Sequence, residues 1–179
     1  MKNFKIWDPF IRIFHWSLVI GFAVNALALE DDSKAHIWVG YAIVALVVVR
    51  ILWGFVGTRN ARFSTFTPNR EQVIGQISDI ATRRRTTYLG HSPLGALMIF
   101  NMIISILIIG VSGYMMTTDA YWGVDWVSEV HETFVGWAEL SVLLHVAAVI
   151  FESARTGVNL SRAMVTGVKT IPADVVLEE

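Results

Sequence analysis

Long apolar stretches separated by short polar breaks dominate this chain. Four stand out, at about residues 13–29, 36–56, 93–116 and 131–153. Each holds about 17 to 24 residues, enough at ~1.5 Å rise per residue to cross a ~30 Å hydrocarbon layer as a helix. The third is the purest, with no Asp, Glu, Lys or Arg between Arg85 and Asp119. The fourth carries Glu132 and Glu139 in its first half. A bundle accepts them where they face protein, the outer interface or a polar cofactor edge, whereas facing lipid is costly. Between the second and third stretches, Val73, Ile74, Ile77 and Ile80 recur at helical spacing over residues 72–80, just ahead of Arg83, Arg84 and Arg85. This pattern predicts an amphipathic helix over anionic lipid headgroups, with a solvated basic loop as the alternative. The expected fold is all-α integral membrane, a four-transmembrane-helix bundle in one domain over 1–179. An inner loop fills 58–92 and a cytoplasmic tail 156–179.

Composition agrees with a lipid solvent. Of 179 residues, 54% are hydrophobic and 16% charged, where soluble domains carry about 25% charged residues. Disorder is excluded, and a soluble fold is not expected. The formal net charge of -1 hides a bipolar distribution. Lys2, Lys5, Arg12, Arg50, Arg59, Arg62, Arg70, Arg83, Arg84, Arg85, Arg155, Arg162 and Lys169 fall at one end of the four-span bundle, and only Lys34 at the other. The opposite loops carry Glu30, Asp31, Asp32, Asp119, Asp125 and Glu129. An excess of cations on cytoplasmic loops therefore places both termini in the cytoplasm of a multi-pass membrane protein. Ala26-Leu27-Ala28 resembles a signal-peptide cleavage site, but removing the first span would spoil this charge agreement. Trp122 and Trp126, beside Tyr121, suit the outer interface, and Trp7 the inner one. Membrane lipid is the surrounding medium, and no nucleic-acid partner is expected.

With no cysteine, the chain forms no disulfide, thiolate zinc site, iron-sulfur cluster or thioether-linked haem. Any metal must rest on His, Met or oxygen. His131 and His145 are fourteen residues apart on the fourth span, about 21 Å along the axis and about 1400° of rotation, so they share a face at opposite depths. Chain direction then matches His15 with His145 in depth near the inner end, and His36 with His131 near the outer end. A desolvated imidazole stays neutral and keeps a lone pair for metal. Two on facing helices hold one haem iron from both sides. Four imidazoles split over ~21 Å of depth do not close a zinc tetrahedron. Histidines that only hydrogen-bond across helices are the bland alternative.

Gly21, Gly40, Gly110, Gly113 and Gly136 offer room for a porphyrin, although close helix packing uses glycine too. Arg12, one turn before His15, is a candidate propionate contact or a headgroup anchor. His91 has no partner at its depth and is expected to cap or pack a loop.

These residues resemble the bacterial dihaem cytochrome b family, the cytochrome b561-like group that includes the b-type subunits of nickel-iron hydrogenases. The resemblance covers nearly the whole chain. It rests on Arg12-Ile13-Phe14-His15-Trp16, His36 with Gly40-Tyr41, Arg50 with Trp53-Gly54, Ala61-Arg62-Phe63, Gly90-His91-Ser92-Pro93-Leu94-Gly95, His131, His145, and Asn159 with Ala163-Met164, Gly167 and Lys169. Ser92 departs from the pattern, where relatives commonly show Asn. The resemblance implies two noncovalent b haems, electron transfer with a membrane quinone, and His15, His36, His131 and His145 as axial ligands.

Three functions follow as expectations. The first is an electron-transfer protein linking the quinone pool to a redox partner at the periplasmic face. The acidic outer loops suit a basic c-type cytochrome or another protein with a basic patch. The second is a stand-alone superoxide:quinone oxidoreductase, although those same acids weigh against drawing in an anionic radical. The third is a haem-free membrane anchor subunit.

Overall fold

The computed structural model describes residues 1–178, which form six helices and four short strands. Four helices are long and apolar enough to cross a membrane: α1 (Pro9–Leu27), α2 (Lys34–Val56), α4 (Pro93–Met116) and α5 (Asp125–Thr156). α3 (Arg70–Ala81) and α6 (Leu160–Thr166) are shorter.

Local chemistry starts and stops these helices. Asp8 caps α1 by accepting from the Ile11 amide at 2.8 Å, ahead of Pro9, whose ring suits a first turn. Ser33 and Ser92 cap α2 and α4 likewise, each accepting from the amide three residues on. Asn69 and Gln72 form a reciprocal capping box on α3. α6 ends at Gly167, whose φ of 80° an L side chain rarely adopts. A Cβ there would also meet the Trp7 carbonyl at 2.8 Å.

Three spans begin earlier than the apolar count suggests, α2 by only two residues, at Lys34. α1 starts at Pro9 because the cap lies upstream of the apolar run, and α5 starts at Asp125, ahead of His131. At 32 residues α5 is about 48 Å long and projects beyond a ~30 Å layer. Glu132 and Glu139 are both exposed on it.

The bundle's central core joins Ile43 and Val47 of α2 to Ile106 of α4, flanked by Leu18 of α1. Glycine packing tightens it: Val44 sits against Gly110 and Ile43 against Gly21, so both positions serve close helix approach. α1 packs on α2, α2 on α4 and α4 on α5, whereas α5 approaches neither α1 nor α2 to a comparable extent. The bundle is therefore open along the side where α5 faces the first two helices.

At one end the chain builds a cap. β1 (Lys2–Lys5) pairs antiparallel with β3 (Val168–Ile171), with Lys2 opposite Ile171. β2 (Thr86–Tyr88) runs parallel to β4 (Val176–Glu178). Both ends of the described chain thus lie with the 58–92 segment at the same end of the bundle. Arg155 ties the base of α5 to this cap, pairing with Glu152 at 2.6 Å and donating to the Thr86 carbonyl at 2.9 Å and to that of Arg84. Trp7 is 8% exposed in a cluster with Ile6, Ile11, Ala61 and Ala163, so it is a core residue of the cap and not an interfacial anchor. Its amphipathic ring misleads at the sequence level, because only the pairing of β1 with β3 folds the tail over it.

α3 rests on the start of α4, where the buried Gln76 accepts the Leu94 amide at 2.9 Å. Ile74 and Ile77 stay exposed on it, while Val73 and Ile80 are half-buried.

Candidate functional site

His15 of α1 and His145 of α5 face one another with ring centroids 6.4 Å apart and planes inclined by 54°. They meet across the side of the bundle where α1 and α5 do not pack closely. Two imidazoles on opposite sides of one metal ion, each bonded at about 2 Å, have centroids roughly 6 Å apart. The pair thus has the spacing of two ligands sharing one iron. The His15 Nδ1 atom is buried with no hydrogen-bond partner, a state that proteins rarely leave uncompensated.

The second pair lies toward the other end. His131, in the second turn of α5, is held by α4: its Nδ1 is 3.0 Å from the Ile109 carbonyl and 3.2 Å from Ser112 Oγ. His36, in the first turn of α2 at the same end of the bundle, has its own Nδ1 buried without a partner. Fourteen residues separate His131 from His145 on one continuous helix, so the two centres stand at about 21 Å of depth from each other.

Among the described residues no three His, Cys, Asp or Glu side chains converge on a metal position. A tetrahedral zinc site therefore has no donor set here, while a haem needs only two protein ligands because its porphyrin supplies four nitrogens. Four half-buried imidazoles, two of them with orphaned nitrogens, suit that group.

The other expected residues divide. Arg12 donates through Nη1 to the Val165 carbonyl at 3.2 Å, and its Nε is buried without a partner. A Cβ on Gly113 would meet His131 Cε1 at 3.0 Å, whereas Gly136 has nothing within 4 Å. His91 packs as a loop residue: Trp7 and Phe66 cover it at centroid distances of 4.5 and 4.4 Å. Burial, reinforced by the positive charges of Arg50 and Lys169, pushes its pKa down to about 3. Ser92, not His91, caps α4.

Sequence reasoning missed two parts of this arrangement. One is the grip of Ser112 and Ile109 on His131, whose only sequence signal is the small pair Ser112-Gly113 in an otherwise bulky run. The other is the buried cationic floor of the cap. Arg50, 3% exposed, donates to the Ala61 carbonyl at 3.1 Å and lies 5.0 Å over the Phe63 ring. Lys169, also buried, reaches the Tyr88 carbonyl. Burial pushes the Lys169 ammonium down to about 8 against the opposing pull of Glu152.

At the opposite end Glu30, Asp31, Asp32, Asp119, Asp125 and Glu129 are all exposed, with Trp122 and Trp126 exposed beside them. The model of one family, described as prokaryotic cytochrome b561, matches residues 6–167, which takes in all four membrane helices and all five histidines. No curated protein and no solved structure matches the chain.

Proposed function

The chain belongs to the prokaryotic cytochrome b561 family, and from that premise we propose that it is a dihaem member carrying electrons between membrane quinone and a redox partner at the outer face. His15 and His145 would hold the iron of the inner haem b, and His36 and His131 that of the outer one. The facing of His15 and His145 at 6.4 Å carries this reading, since a hydrogen-bonded pair or a zinc site would not require that spacing across an open side of the bundle. Bound haem supplies reversible one-electron chemistry.

The residues hold and insulate that chemistry. Neutral imidazoles supply lone pairs in a low-dielectric bundle, and the lack of cysteine leaves each haem noncovalent. Arg12, one turn before His15 with its Nε unpartnered, is the candidate propionate contact. The cation-rich cap supports a cytoplasmic position for both termini in a bacterial inner membrane, because cations accumulate on that side. With an inside-negative potential, an electron moved fully outward gains about 2.3 kcal/mol per 100 mV, and inward transfer needs the redox couples to supply as much. The exposed acids of the outer loops would steer a basic partner such as a c-type cytochrome.

A haem assay and a reduced-minus-oxidised spectrum of the purified protein test this. Two haem b per chain, reduced on adding quinol or reoxidised by quinone, is the expected result. A folded chain that purifies without haem would instead be an anchor subunit.

A further inference from the structure

One turn of α4 is shaped to receive the His131 ring. A carbonyl only accepts, so the 3.0 Å contact with the Ile109 oxygen requires His131 Nδ1 to carry the proton and donate it. Nε2 is then left with the lone pair. Ser112, 4% exposed, donates its own hydroxyl proton back to the Ile108 carbonyl at 2.8 Å, which turns an oxygen lone pair toward the same Nδ1 at 3.2 Å. Gly113 completes the saddle, because a Cβ there would press on the ring at Cε1 and Nδ1. The Nδ1 atoms of His15 and His36 have no such acceptors.

We infer that Ser112 is a positioning residue for His131, and that through the shared Nδ1 proton it makes the outer haem the lower-potential member of the pair. The inference rests on the dihaem reading above. Acceptors on the outer ring nitrogen raise the basicity of a metal-bound imidazole, and a more basic ligand stabilises ferric over ferrous iron. On the inner pair, His15 Nδ1 has no acceptor, so the outer haem would be the harder of the two to reduce.

A spectroscopically resolved redox titration of the haem-loaded protein tests this with three variants. H131A identifies the outer haem by the wave it removes, which is expected to be the lower. S112A should keep both haems, shift that lower wave to more positive potential and leave the upper wave in place, and S112T, which restores the hydroxyl, should return it. Loss of the upper wave in H131A overturns the assignment. A lower wave unmoved in S112A, or moved equally in S112A and S112T, overturns the role of the hydroxyl. If S112A sheds its outer haem, retention of that haem by S112T supports the role and loss in both overturns it. A wild-type protein that binds no haem at all would remove the dihaem reading itself, an outcome distinct from all of these.

Discussion

Trp7 and His91 pack with ring centroids 4.5 Å apart and planes tilted by 47°, joining the segment after β1 to the loop that starts α4. Phe66 packs on the same imidazole at 4.4 Å, and burial, with the charges of Arg50 and Lys169, keeps the ring neutral in the folded cap and lowers its pKa from 6.5 to about 3. The unfolded chain binds this proton near 6.5, so stability from the neutral ring is complete above that pH and drains away as pH falls toward 3. Protection of the β1 and β3 amides, corrected for the intrinsic exchange rate at each pH, should fall across that window, and His91→Phe should flatten the dependence. An unchanged slope in the variant would assign the acid sensitivity elsewhere.

The histidine pairs predict which variants share a phenotype. His15→Ala and His145→Ala should each remove the same haem, and His36→Ala and His131→Ala the other, leaving about one haem per chain in each case. Loss of one common spectral signal from His15→Ala and His131→Ala would break the pairing.

Gly54 lies beneath the Phe63 ring, and a Cβ there would run into it. Phe63 also supports the Arg50 guanidinium, so Gly54→Ala should cost roughly 1–3 kcal/mol through overpacking, read as a lower thermal midpoint in detergent. Gly75 on α3 meets nothing within 4 Å. Gly75→Ala should therefore stabilise that helix by up to about 1 kcal/mol.

Orientation has its own test. A cysteine at the exposed Ala120 should react with a membrane-impermeant thiol reagent in intact cells, and one at the exposed Thr82 should not. The reverse pattern would invert the proposed sides. Thr86, in the same inner segment, is unsuitable because it is buried against β4.

Replacing Asp31, Asp32 and Asp125 with Asn should slow electron exchange with a basic c-type cytochrome at low salt. The rates should converge with wild type as the ~8 Å Debye length at physiological salt shortens further, with haem spectra unchanged. Equal rates at low salt would show that these acids serve orientation alone.

The four spans and the depths of the histidines were legible because a bilayer makes them so. A membrane helix satisfies its backbone internally, so apolar length alone marks it, and a fixed rise turns residue number into depth. That reasoning matched His15 with His145 and reached the third span, Pro93–Met116, to the residue. The helical spacing over residues 72–80 also marks α3, although the capping box extends that helix to Arg70–Ala81. Strands of three or four residues joining Lys2 to Ile171 and Thr86 to Val176 leave no periodicity to read. The sequence consequently presents Trp7 as an anchor while the fold buries it, and Lys169 only as part of a motif while the fold carries it beneath the bundle. Ser112 reaches His131 only through the rotation of α4 against α5, which is set by side-chain packing along the whole interface. Depth is a one-dimensional quantity that each helix carries in its own sequence, whereas rotation and capping depend on contacts between distant segments, and those exist only once the chain has folded.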